Sequence, residues 1–268
     1  MRFALLNSGL GLLAAAGELH RLRPDADLVI AMDPDGMPWG PRTPQDIAAR
    51  SLTIARAAAE YQPDVLVMAC NTGSVHALTA LRAEFEPRIS VVGTVPAIKP
   101  AAASARSVAI WATVGTTASE YQRRLIAEFG GTAAVTEVAC PGLATAVDSG
   151  DEGAIAVAVA DAAGRTPAGC GAVVLGCTEY ELAADRIAPA VPGAVLFGSA
   201  PAVADQALRR ALDAGCPATP PADAPRGTLR VLLSGRRAEL PSVALHYPQG
   251  RAMAYLAASH DPAAGLPA

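Results

Sequence analysis

Two cysteines close the same kind of phrase. Asp64-Val65-Leu66-Val67-Met68-Ala69 runs into Cys70-Asn71-Thr72, and Gly171-Ala172-Val173-Val174-Leu175-Gly176 runs into Cys177-Thr178-Glu179. Each is a short apolar segment of the kind that forms a buried strand, followed at once by Cys with a Thr one or two positions on. Cysteines just past the carboxyl end of a strand stand where open α/β sheets bind ligands. A lone cysteine is more often a small buried hydrophobe. That plain reading holds for Cys170 and Cys216, and Cys140 in Ala139-Cys140-Pro141 is intermediate. For Cys70 and Cys177 the recurrence argues for chemistry. A thiolate on one face of a substrate carbon and a thiol on the other form a base and an acid. The thiolate removes the proton next to a carboxylate, and the thiol returns one from the opposite side, inverting the centre. General acid–base work of this kind contributes roughly 10²–10⁴-fold. Neighbouring Asn, Ser and Thr groups would hold the carboxylate and the charge that develops.

The elements that must position these groups alternate along the chain. Strands are expected at 2–6, 27–32, 64–69, 89–93, 107–112, 172–176, 194–197 and 228–233. Helices are expected at 43–61, 73–85, 117–129, 151–164 and 201–214. Continuous apolar strands alternating with helices predict parallel sheets covered on both faces. The cysteines are 107 positions apart, about the length of one small α/β domain. Two facing domains would then supply one cysteine each. Pro217 to Gly227 is proline-rich and predicts a semi-extended connector.

Composition narrows the function classes. The chain has 268 residues, 51% hydrophobic and 17% charged, so a compact core is expected without disulfide or metal staples. A net charge of −4 gives no case for nucleic acid or an anionic membrane surface. No run approaches 18 apolar residues, so no membrane span is expected. Asn7-Ser8-Gly9 interrupts the apolar start where a secretory signal should be continuous, so a reduced, cytoplasmic protein is expected. Five scattered cysteines and four histidines show no metal-ligand spacing, and no metal is expected. Lys99, between Ile98 and Pro100, is the only lysine, which disfavours a pyridoxal phosphate Schiff base.

With these residues in view, the chain resembles the aspartate/glutamate racemase superfamily, and glutamate racemase most of all. The matching segments are Asn7-Ser8-Gly9-x-Gly11, Asp33 with Pro38-Trp39-Gly40, and Ala69-Cys70-Asn71-Thr72. Further along come Val95 to Pro100, Ala112-Thr113 with Thr116, Ala139-Cys140-Pro141, Gly176-Cys177-Thr178 and Ser234-Gly235. The paired cysteine motifs are the specific part.

The resemblance implies two similar parallel-sheet α/β domains facing each other across an active-site cleft. Residues 1–94 with 207–268 would form the first, and 95–206 the second. It implies a cofactor-independent amino-acid racemase with Cys70 and Cys177 as the two bases, acting on a small amino acid, glutamate first, and supplying D-amino acid for peptidoglycan. A homodimer is left open as the assembly. Asn71, Thr72, Thr113, Thr116 and Thr178 would hold the amino acid, with Ser8 and the Pro38–Trp39–Gly40 loop lining the site. Asn7 and Glu179 would assist the cysteines. They stand where glutamate racemase has Asp and His, and Cys-Thr-Glu is similar to the aspartate racemase branch. Trp39 replaces a Tyr.

Other readings compete. Gly9-Leu10-Gly11-Leu12-Leu13-Ala14 matches a dinucleotide-binding turn, and Asp33 ends the next strand where a ribose-binding acid belongs. That NAD reading leaves both cysteine motifs unexplained. A cysteine hydrolase would want a histidine beside its thiol, and His76 lacks supporting neighbours. A one-cysteine decarboxylase fits a pair of motifs poorly, and a non-catalytic binding protein draws only on the changes at Asn7 and Glu179.

Overall fold

The structure is a computed structural model that describes residues 1–220 and 225–258. In chain order it begins β1 (Arg2–Asn7), α1 (Leu12–Leu22), β2 (Asp27–Met32), α2 (Pro44–Ala59), β3 (Val65–Met68), α3 (Asn71–Phe85) and β4 (Ser90–Gly93). It continues α4 (Ile98–Ser104), β5 (Ser107–Ala112), α5 (Val114–Thr117), α6 (Glu120–Phe129), β6 (Ala134–Ala139), α7 (Leu143–Ser149), α8 (Glu152–Arg165) and β7 (Ala172–Leu175). Then follow α9 (Thr178–Leu182), α10 (Ala184–Ile187), β8 (Val195–Phe197), α11 (Ala200–Asp213), β9 (Leu229–Leu233), β10 (Arg236–Ala238) and α12 (Pro248–Ala258). Contacts divide the chain into two compact units, residues 1–94 with 200–268 and residues 95–199. The crossing expected at 207 falls inside α11. That helix packs as one piece against α1, β3 and β4, so the chain returns to the first unit before it.

The first unit holds a six-stranded sheet in the order β10-β9-β2-β1-β3-β4. Its central strands are apolar throughout: Phe3, Ala4, Leu5 and Leu6 of β1 and Val65 to Met68 of β3 are fully buried. Both faces of a parallel sheet are covered, which is why these strands do not alternate polar with apolar residues. Register pairs Asn7 with Met32 and Leu6 with Met68, so β1, β2 and β3 end at one level. The helices are locally specified. Thr43 caps α2 by accepting from the Asp46 N–H at 3.2 Å, Pro44 opens the first turn, and Ile47, Ile54, Ala55 and Ala58 form its buried face.

The second unit holds a four-stranded parallel sheet, β6-β5-β7-β8. Ser119 and Asp151 cap α6 and α8 by accepting from Gln122 and Ala154 amides. Gly176 lets β7 end tightly against β5: a Cβ there would lie 2.7 Å from the Trp111 carbonyl.

Two strands depart from expectation. β6 is an edge strand whose Thr136 and Glu137 are not buried, so it lacks the apolar run that marks β5 and β7. β10 is three residues long and antiparallel to β9, so the first sheet is not wholly parallel. Ser234 and Gly235 join them with φ of 46° and 79°, the double left-handed turn that suits a two-residue hairpin. The helices α1, α4, α7, α9, α10 and α12 were outside the strand and helix ranges first expected. The expected connector at 217–227 includes residues 221–224, which lie outside the described residues.

Candidate functional site

In the first unit the site residues gather where β1, β2 and β3 end. Cys70 follows β3 and caps α3, with extended backbone (φ −148°, ψ 126°) and its sulfur 3.4 Å from the donating Gly73 N–H. A sulfur at the amino end of a 15-residue helix sits in a field that favours the anion. Asn7, fully buried at the end of β1, spans the gap to the cysteine strand. Its Nδ2 donates to the Ala69 carbonyl at 2.8 Å, and its Oδ1 accepts from the Ser8 N–H at 2.6 Å and the Ser8 hydroxyl at 3.3 Å. Asn7 therefore fixes the peptide just before Cys70 and the turn carrying Ser8. Asn71 and Ser8 are buried beside it, while Thr72 is half-buried in the first turn of α3.

The Pro38–Trp39–Gly40 loop divides. Pro38 and Gly40 are exposed, but Trp39 is only 1% exposed and belongs to the same core cluster as Cys70. The expectation that the indole lines a pocket is corrected: the ring packs inward, as a large apolar surface should. Its Nε1 donates to Asp33 Oδ2 at 2.9 Å. The same carboxylate accepts from Arg50 at 3.3 Å and, through Oδ1, from the Ser234 hydroxyl at 3.1 Å. Asp33 is thus occupied by three donors of its own chain, which removes the ribose-binding role of the NAD reading. Sequence reasoning missed Arg50, which lies in no motif and meets Asp33 only through folding. It also missed Ser74 and Thr94, whose hydroxyls both donate to the Met68 carbonyl and close the end of β3 from 6 and 26 positions further along the chain.

In the second unit Cys177 follows β7 and precedes α9 with extended backbone (φ −131°, ψ 137°). It is partly exposed, and its sulfur donates to Glu179 Oε2 at 2.8 Å. Thr178 also donates to that oxygen, at 3.4 Å. Glu179 is only 4% exposed, so the thiol and the carboxylate form a close pair. Thr113 caps α5, and its hydroxyl donates to that of Thr116 at 3.0 Å, so these two form a pair as well.

The remaining thiols differ. Burial pushes Cys140 up to about 12, so it stays neutral, and its Sγ–H faces the Val138 carbonyl. Tyr180 of α9 donates to the Cys140 carbonyl, and burial raises it too, so it stays neutral and ties α9 to the end of β6. Cys170 is buried and donates to the Ala172 carbonyl at 3.1 Å. Burial, with Asp64 nearby, raises Cys216. Lys99 is exposed in the first turn of α4. Among the described residues no group of three or more His, Cys, Asp or Glu side chains is arranged to hold a metal ion, and no helix is long and apolar enough to cross a membrane.

Fold and site define an α/β protein of two parallel-sheet units, each with a cysteine at the end of an inner strand. The sequence profile described as Asp/Glu/Hydantoin racemase matches residues 7–207, and the chain belongs to that family. It is a racemase, an isomerase. A glutamate racemase of Herpetosiphon aurantiacus is 36% identical over 211 residues, spanning 76% of this chain and 82% of the relative. One from Pseudomonas putida is 35% identical over 215 residues, spanning 78% and 81%. The crystal structure of Escherichia coli glutamate racemase, in complex with L-glutamate and an activator, UDP-MurNAc-Ala, superposes with a TM-score of 0.75 at 28% identity over 91% of each chain.

Proposed function

We propose that the chain is a cofactor-independent glutamate racemase in which Cys70 and Cys177 move protons on opposite faces of Cα. The observation that carries this reading is the repeated placement of a cysteine between an inner strand and a helix amino terminus, once in each unit. In one direction a thiolate takes the Cα proton: the C–H bond breaks, an S–H bond forms, and the electron pair passes into the carboxylate as an enolate-like state. The other thiol gives its proton to the opposite face, leaving a thiolate. The reverse direction exchanges the roles.

Glu179 is the proton acceptor for Cys177. A free thiol has a pKa of about 8.5, so only a few per cent is ionised near pH 7. A carboxylate 2.8 Å from the sulfur can take that proton and return it. Asn7 cannot do this for Cys70, since an amide does not accept a proton at neutral pH. Its part is to hold the Ala69 and Ser8 peptides. Thr72, Asn71 and Ser8 of the first unit and Thr113, Thr116 and Thr178 of the second supply donors for the amino acid's polar groups.

Glutamate is favoured because the curated relatives carry that name and the Escherichia coli enzyme holds L-glutamate. Aspartate is the second reading, supported by Glu179 in the Cys-Thr-Glu motif. Two working thiols also suit a reducing compartment such as the cytoplasm. The test is Cα proton exchange in D₂O, followed by NMR on pure D and L forms of glutamate, aspartate and neutral amino acids. Exchange and inversion of glutamate are expected without added metal or pyridoxal phosphate, and undiminished inversion in Cys70→Ser or Cys177→Ser would eliminate the two-base assignment. A tenfold preference for another substrate in kcat/KM, about 1.4 kcal/mol, would overturn the choice of glutamate.

A further inference from the structure

We propose that Asp33 and Trp39 are positioning residues for the Cys70 sulfur, acting through the Gly73 amide. The inference rests on the reading of Cys70 as a proton-moving thiol.

The chain of contacts is short and lies wholly in the first unit. Asp33 at the end of β2 is 3% exposed and held on three sides, by Arg50, by Ser234 and by its own N–H donating to the Ser8 carbonyl at 3.2 Å. It is a fixed acceptor, and it receives the Trp39 Nε1–H at 2.9 Å. That bond sets the rotation of the indole in the core. The far edge of the ring then abuts the first turn of α3. A Cβ at Gly73 would lie 3.0 Å from Trp39 Cζ3 and would collide with Met68 Sδ, so only a bare α-carbon fits between them. Gly73 is also the residue whose N–H reaches the Cys70 sulfur at 3.4 Å. Asp33 thereby anchors the indole, the indole seats the Gly73 backbone, and the Gly73 amide orients the sulfur. A hydrogen bond donated to sulfur favours the thiolate, so the seat also biases the protonation state.

Two variants probe this from different ends. Trp39→Phe keeps an aromatic ring in the core and removes the N–H. Asp33→Asn keeps the shape and removes one of the two acceptor oxygens. The first readout is the pH dependence of alkylation by a small haloacetamide, scored separately at Cys70 and Cys177 by peptide mass. In both variants the Cys70 midpoint rises by about half a unit, roughly a threefold loss of thiolate near neutral pH. The Cys177 midpoint stays in place and reports an intact fold.

The second readout is Cα–H exchange from each pure enantiomer at saturation. It falls roughly three- to tenfold for the enantiomer that Cys70 deprotonates, with KM unchanged. Because both variants act through one bond, the double variant loses no more than the worse single. A Cys70 midpoint that stays put in folded Asp33→Asn and Trp39→Phe overturns the proposal, as do losses that simply multiply. Alkylation needs no turnover: a wild-type chain that exchanges no Cα proton refutes the racemase reading by itself, while the midpoints still decide the positioning role.

Discussion

Replacing Glu179 by Gln tests the acid–base assignment most directly. The carboxylate lies 2.8 Å from the Cys177 sulfur and is almost fully buried, with Thr178 donating to the same oxygen. Gln keeps the size and can still accept a hydrogen bond, but it cannot take a proton. Cys177 would then have to ionise without its acceptor. Loss of one positioned acid–base group corresponds to roughly 10²–10⁴-fold, or about 2.7–5.4 kcal/mol of barrier. We expect the lower part of that range, because water can reach the partly exposed sulfur. The assay must respect equilibrium. D and L forms have equal free energy, so kcat/KM for net inversion falls equally in both directions whatever the variant. The asymmetry shows instead in Cα deuterium wash-in without inversion. Wash-in should slow about 10²-fold for the enantiomer whose proton Cys177 removes and less than threefold for the other. Equal slowing of both, or no slowing of either, would refute Glu179 as the acceptor for Cys177.

Other expectations follow from packing and burial. Gly176→Ala would set a Cβ 2.7 Å from the Trp111 carbonyl and displace the residue before Cys177, so a loss of about 1–3 kcal/mol in urea unfolding is expected together with lower turnover. Arg23 is nearly buried, paired with Asp25 at 2.7 Å and donating to the Pro217 carbonyl at 2.9 Å. Arg23→Ala removes the main partner of the half-buried Asp25 carboxylate and should destabilise the protein by about 1–3 kcal/mol, again read from urea midpoints. Cys140 binds its proton more tightly folded than unfolded, so stability is full below about pH 9 and falls as pH rises towards 12, by up to about 4 kcal/mol. Cys140→Ala should flatten the stability–pH curve between those values, and an unchanged slope would contradict a buried neutral thiol.

How far the sequence discloses this protein depends on whether a residue works through its own segment or through a distant one. β1, β3, β5 and β7 are legible because strands covered on both faces must be apolar at every position. β6 is not, because an edge strand with Thr136 and Glu137 on its faces carries no such run. Cys70 and Cys177 are legible because strand, cysteine and helix are contiguous, and the same holds for Glu179, two positions on. Trp39 is assigned to the wrong surroundings for the opposite reason. Its neighbours in the chain are a loop, while it shares a core cluster with Met68 and Cys70 and abuts Gly73, residues in and just after β3 and in the first turn of α3. Asp33 is placed correctly at the end of β2, yet its partner Ser234 lies 201 positions away. A polar group satisfied across that span leaves no periodic trace, and its short-range surroundings happen to imitate a ribose-binding acid.

The first unit's sheet has a consequence for the order in which the chain can fold. β2 pairs in parallel with β9 over Leu28–Leu229 to Met32–Leu233, so an interior strand of that sheet waits for a partner made some 200 residues later. The second unit, residues 95–199, is contiguous and draws all four of its strands from one stretch. During synthesis it can close as soon as it leaves the ribosome, at about 5–20 residues per second. The earlier-made first unit meanwhile holds β2 as an open edge, with its apolar positions exposed to pairing with other chains. Aggregation of this protein should therefore be governed by the interval between residues 32 and 229. A circular permutant that begins at the second unit and joins the end of the present chain to the residues ahead of β1 would shorten that interval while keeping β10, α12 and every candidate site residue.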